Sequence, residues 1–131
     1  GFFTSPKEAL MDSFASSSHC WAGIHEGQVI AIGGVVPLGS RTDLAFPWMI
    51  ATAAIETPAM RREFMLLSKE TLIRMRTLYP SLEGWVDARN HKAITWLRWL
   101  GFILDPPLPY GPVGIPFHCF KIGEGVCVGL L

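Results

Sequence analysis

The side chains of this 131-residue sequence best suited to take or return a proton beside a reacting group are Asp87, Tyr110 and His118. Asp87 closes a predicted strand in "EGWVDARN", with Arg89 and Asn90 directly after it. Strand ends of this kind are where functional side chains collect. The carboxylate could recognise an amine, or pair with Arg89 or Arg98; Asn90 could cap the helix that follows. His118, in "IPFHCFKI", alternates with Phe117, Cys119 and Phe120 along a predicted strand. A hydrogen-bonded structural histidine and a general base at the mouth of a crevice are both open for it. Tyr110 lies among four prolines in "DPPLPYGPVG", and its hydroxyl could face a substrate or a neighbouring subunit.

Other chemistries find little support. Cys20, Cys119 and Cys127 are an odd number without CxxC or Cys/His spacing, which argues against a disulfide framework and a structural zinc. A reducing compartment fits them, and no neighbour in sequence would activate a thiol as a nucleophile. His19, His25 and His91 show no metal-ligand spacing. The formal charge is +0, and the tightest basic group, Arg61, Arg62, Lys69, Arg74 and Arg76, is spread around one predicted helix, so a nucleic-acid footprint is missing. The longest apolar runs, such as "VIAIGGVV", are strand-sized and far below the ~20 residues of a membrane span.

The elements that must position these residues follow from local signals. Ser5, Pro6 and Glu8 in "SPKEALMDSF" form a capping box and predict a helix to about Ser16. Two β-branched runs about His25-Glu26-Gly27-Gln28 predict a hairpin, with Gly33-Gly34 marking a bulge or a close backbone approach. "LAFPWMIATAAI" reads as a strand buried on both faces. Thr57-Pro58 then starts the longest helix, about five turns of ~3.6 residues, with Met60, Phe64, Leu67, Leu72, Met75 and Leu78 as its apolar stripe and Pro80 as its stop. A strand around "EGWVDA" leads to a short helix between Asn90 and Gly101, on which Ala93, Trp96, Leu97 and Leu100 share one face. That spacing assigns Trp96 to core, although stacking on a ligand ring is the alternative; Trp99 lies at the edge of the stripe, where it could meet a partner. Phe102 to Leu104 and "IPFHCFKI" are the last strands. Between them the prolines predict a stiff loop, a lid over the short helix that cannot join a sheet edge. One domain with a mixed sheet and helices on its faces is expected, and its strand–helix–strand unit implies a parallel crossover with a crevice at the strand ends.

This order, with "ARNHKAITWLRWLGF", resembles the GNAT-type N-acetyltransferase superfamily, whose members often carry an Asn, an Ala three residues on and a terminal Leu-Gly-Phe; here these are Asn90, Ala93 and Leu100-Gly101-Phe102. The strings "SPKEAL", "CWAGI", "PWMIAT", "YPSLEGWVDARN", "WLRWLGF" and "PYGPVGIPFHCF" are similar to phage proteins grouped with the internal virion protein of podoviruses, over roughly Ser5 to Lys121. The resemblance implies an α/β (α+β) GNAT-like domain over residues 1–131, with a mostly antiparallel sheet of about six strands and a first strand and helix upstream of Gly1. It also implies a location in the bacterial host cytosol or the phage virion.

The departures bear on chemistry. Active superfamily members enter the long helix through a Gln/Arg-x-x-Gly-x-Gly/Ala loop, because backbone amides must approach the coenzyme A pyrophosphate. Here that place reads Arg61-Arg62-Glu63-Phe64-Met65-Leu66, with Phe64 and Leu66 at the glycine positions. The tyrosine often used as general acid, seven residues after the Asn, is Leu97, and the third strand has no ionisable side chain before Glu56. Two functions are therefore expected. One is a phage-encoded GNAT-like component of the virion or of host interaction, with weakened or lost acyl-CoA binding. The other is an acetyl-CoA-dependent N-acetyltransferase acting on a small amine, a protein N-terminus or a lysine. In the latter, Arg61, Arg62 and Asn90 would hold the cofactor, and Asp87, Tyr110 or His118 would move the proton.

Overall fold

The hairpin forms where its turn chemistry places it: β1 (His19–His25) and β2 (Gln28–Pro37) pair antiparallel across Glu26 and Gly27, both at positive φ. Positive φ at both central residues matches the right-handed twist of the strands. A computed structural model of the chain describes residues 6–40, 42–51 and 57–123. Helix α1 (Pro6–Ser16) precedes the hairpin, and the expected Ser5–Glu8 capping box lies outside the described residues. The remaining elements are β3 (Leu44–Ala51), α2 (Pro58–Leu78), β4 (Ser81–Asp87), α3 (His91–Leu100), β5 (Ile103–Leu104), β6 (Leu108–Tyr110) and β7 (Ile115–Ile122).

Helix boundaries obey their caps. The Thr57 side chain accepts the Met60 amide at 3.1 Å with Pro58 at the first helical position, and the Tyr79 amide closes α2 on the Met75 carbonyl. Asn90 caps α3 by accepting the Ala93 amide at 3.2 Å, and Gly101 ends it at φ 104°, a left-handed conformation that costs a glycine little.

The sheet is mixed and mostly antiparallel, with seven strands in the order β1-β2-β3-β4-β7-β5, and β6 also pairs with β7. β6 corrects the expectation of a proline loop barred from the sheet. Pro109 faces Pro116, flanked by Leu108↔Phe117 and Tyr110↔Ile115. Antiparallel ladders alternate hydrogen-bonded and non-bonded pairs, and two prolines opposite each other can occupy a non-bonded position without wasting a donor. The segment is thus a sheet strand, not a lid.

Other expectations shift. Gly33 and Gly34 mark a close approach: a Cβ on Gly34 would lie 2.8 Å from Trp48 Nε1. The irregularity in the β1–β2 register falls instead between Gly23 and Ile24. β3 is buried at Leu44, Ala45 and Trp48, while Ile50 is exposed. On α2 the buried face is Ser68, Leu72 and Met75, while Leu78 is exposed. The core joins Val35, Ala45, Leu82 and Phe120 of the sheet to Leu72, Met75 and Leu97 of the helices. Gly84 allows the Phe120 ring to lie directly on β4, since any Cβ there would collide with that ring.

Candidate functional site

β3 and β4 are parallel neighbours through two residue pairs, Leu44↔Ser81 and Ala45↔Leu82. Past them the strands part. β3 continues against β2 as far as Ala51, and β4 continues against β7 as far as Asp87, so each strand follows its antiparallel partner and the sheet opens between them. Antiparallel pairing is slightly more stable per residue than parallel, which favours this division.

The opening holds a cavity of about 220 Å³. Consecutive residues of one strand, Phe46 to Met49, line it together, as do Trp85 and Val86. Side chains that alternate across a closed sheet can share a space only where the sheet has parted. The polar atoms of the wall are engaged. Ser68 Oγ donates to the Met65 carbonyl at 2.7 Å and accepts from Trp96 Nε1 at 3.1 Å; Trp48 Nε1 donates to Ser17 Oγ at 2.7 Å. Among the described residues no buried side-chain nitrogen or oxygen lacks a partner. The inner walls are apolar in chemistry as well as in residue type.

α2 lines the cavity through Ser68, Leu72 and Met75, and α3 through Ala93, Trp96, Leu97 and Leu100. α2 is helical without interruption from Pro58 through Phe64 and Leu66 to Leu78. Its early amides are therefore largely spent: Pro58 has none, the Met60 amide goes to Thr57 Oγ1, and the Arg61 amide goes to the Thr57 carbonyl. Among the described residues only the Ala59 amide of that turn is unassigned, where an anion cradle needs several converging N–H groups. The side chains agree. Phe64 stacks on Trp96 with ring centroids 5.7 Å apart, closing the α2–α3 seam, and Glu63 reaches back to His25 at 3.8 Å. Arg61 and Arg62 are exposed beside this turn. Among the described residues the arrangement thus offers apolar walls to the arm of an acyl thioester in the opened sheet and no glycine amides to a coenzyme A diphosphate.

The proton-carrying candidates are spread out. Asp87 is locked to Arg89: its Oδ1 accepts the Arg89 backbone amide at 2.9 Å and Nε at 3.0 Å, and its Oδ2 takes Arg89 Nη2 at 2.6 Å. Those hydrogen bonds hold the carboxyl at about 2, below the ordinary 3.8, so it is a weak base at neutral pH. His118 donates from Nδ1 to the Asp105 carbonyl at 2.7 Å, because a carbonyl can only accept. This places a proton on Nδ1, so the neutral ring would present the lone pair on Nε2, the form of a general base. His118 pairs in register with Val86, which lines the cavity, whereas Asp87 pairs with Phe117; cross-strand partners share a face, so Asp87 and His118 lie on opposite faces. Tyr110 stands in β6 opposite Ile115. Leu97, where the resemblance would expect a tyrosine, is buried at 6% exposure in the cavity wall. Asn90 spends its side-chain oxygen and its backbone amide on the turn between Asp87 and Ala93.

Sequence reasoning passed over a second polar group. Lys121, 5% exposed, meets Asp105 Oδ2 at 2.7 Å, and Cys119 Sγ lies 3.5 Å from Glu83 Oε1. Burial and the Glu83 carboxylate push the Cys119 thiol up to about 12. The signal was the spacing of Glu83, Cys119 and Lys121 on adjacent strands, but it becomes readable only once the register Glu83↔Lys121 is known. Ser68 was missed as well; a small polar residue on the face of Phe64, Leu72 and Met75 implies a partner, and Trp96 provides it. Among the described residues no group of three or more His, Cys, Asp or Glu could hold a metal ion, and no helix is long and apolar enough to cross a membrane.

No protein-family model and no curated protein matches the chain. Solved structures do. A GNAT family acetyltransferase from Elizabethkingia anophelis with acetyl-CoA bound is similar with TM-score 0.65 at 9% identity, over 89% of this chain and 82% of that one. An acetyltransferase of the GNAT family from Streptococcus pneumoniae gives 0.63 at 12% identity, over 93% and 79%. A spermidine N-acetyltransferase SpeG variant from Vibrio cholerae gives 0.64 at 13%, over 88% and 72%. The chain therefore has the GNAT acetyltransferase fold.

Proposed function

We propose that the chain is a GNAT-fold protein that receives the acyl end of a thioester in the opened sheet while its grip on coenzyme A is weakened, so that it serves as a binding component more than as a fast acyltransferase. The observation that carries this reading is the unbroken α2 helix through Phe64 and Leu66, which takes the amides that a diphosphate cradle needs. The likeness of the strings around "YPSLEGWVDARN" to podovirus internal virion proteins extends the reading to a phage-encoded virion or host-interaction component. Peptides of the chain in purified phage particles would support that extension, and their absence would oppose it.

A second reading, an acetyl-CoA-dependent N-acetyltransferase, is favoured by His118 on the face of Val86, whose Nδ1 donates to the Asp105 carbonyl and leaves Nε2 as the nitrogen that could take a proton. Acetyl-CoA would supply the activated acyl group. The chain would contribute Arg61 and Arg62 as charges near the anion, the parted edge of β3 along the arm, and His118 or Tyr110 to accept a proton from the amine, with Asp87 held out of that role by Arg89. Calorimetric titration of acetyl-CoA separates the two. Binding absent or weaker than about 1 mM, a range worth only ~4 kcal/mol, is expected from the first reading; micromolar binding that Arg61→Glu abolishes would establish the second.

A further inference from the structure

We infer that the inner part of the crevice selects an uncharged hydrocarbon chain of about eight carbons over an acetyl group. The inference rests on the reading of the crevice as an acyl site and names the chain that it takes.

Size is the first ground. An apolar cavity of ~150 Å³ suffices for the six carbons of benzene, so 220 Å³ accommodates roughly eight to nine carbons, several more than the two of acetyl. Wall chemistry is the second. Leu72, Met75, Leu97, Phe102 and Phe120 of its lining belong to the hydrophobic core. The Ser68 hydroxyl and the Trp96 and Trp48 indole N–H groups are already hydrogen-bonded. An amide-bearing arm placed this deep would lose its hydrogen bonds to water and find no replacement, whereas a hydrocarbon loses nothing. Position is the third ground. The edge of β3 beyond Ala45 has no ladder partner on β4 and borders the cavity through Phe46 to Met49, so polar parts of a ligand can lie along that backbone while the chain lies against the apolar walls. Each methylene moved from water into such walls tightens binding about fourfold.

The test uses the whole chain and a series of straight 1-alkanols, which carry neither thioester nor nucleotide. Of the five tryptophans, Trp48, Trp85 and Trp96 line the cavity while Trp21 and Trp99 do not. In ¹H–¹⁵N spectra, octan-1-ol should move the indole signals of the first three and leave the other two in place. Affinity should rise on the order of 100-fold from butan-1-ol to octan-1-ol and then level off past about nine carbons. Ala93→Leu, which fills part of the cavity, should weaken octan-1-ol at least tenfold and butan-1-ol little. Affinity independent of chain length, or shifts at all five indoles alike, would overturn the inference even if the Ala93→Leu variant failed to fold. Octan-1-ol binding without octanoyl-CoA binding would leave the chain selection standing and remove the thioester reading.

Discussion

At the scale of residues, environment rather than residue type decides which groups can react. Asp87 has the chemistry of a base but is held ionised by Arg89; its folded value is lowered, so its contribution to stability is present above 3.8 and is lost as pH falls towards about 2. A side-chain carboxyl NMR titration should place its midpoint near 2 and return it towards 3.8 in Arg89→Ala; an unchanged midpoint in that variant would discard the pairing as the cause. Cys119 is raised, so the sign reverses: its contribution is intact below about 9 and is lost as pH rises towards 12. Iodoacetamide at pH 8 should alkylate exposed Cys20 in the native protein and reach Cys119 only after unfolding, as read by peptide mass spectrometry. Cys127 lies outside the described residues. The pairing of Asp87 with Arg89, two residues apart at a strand end, was among the options the sequence offered. The buried Lys121–Asp105 pair was hidden, because sixteen residues and a strand register separate its partners.

At the scale of elements, punctuation residues were legible and pairing was not. Thr57-Pro58, Pro80, Asn90 and Gly101 act through local hydrogen bonds and φ preferences, so the helix boundaries can be read from a few neighbouring residues. The joining of β6 to the sheet depends on Pro109 meeting Pro116, and the parting of β3 from β4 depends on which neighbour each strand keeps; both are long-range facts. Two substitutions test the elements. Asn90→Ala removes the α3 cap and should cost about 1 kcal/mol in urea unfolding. Gly84→Ala puts a Cβ into the Phe120 ring and should cost about 1–3 kcal/mol; a cost near zero would mean that the ring has room to move.

At the scale of the whole molecule, the net charge of zero conceals segregation. Seven of the eleven Lys and Arg residues, Arg61, Arg62, Lys69, Arg74, Arg76, Lys92 and Arg98, lie on α2 and α3 with two of the eleven acids, Glu63 and Glu70. Lys69 sits 4.4 Å above the Trp99 ring on this side. The protein should therefore be retained on a sulfonate column at low salt despite its balanced charge, and Arg62→Glu with Lys92→Glu should elute earlier. Among the described residues the start of α2 adds no cradle of amides to these charges, so they meet an anion exposed and screened. In the proposed reading the fold keeps the acyl end of the site and has lost the nucleotide end. Calorimetry comparing acetyl-CoA with S-acetyl-pantetheine decides this: affinities within about threefold of each other are expected, because ~0.6 kcal/mol is all that unfocused charges would add, and a preference of 100-fold or more for acetyl-CoA would rule the reading out.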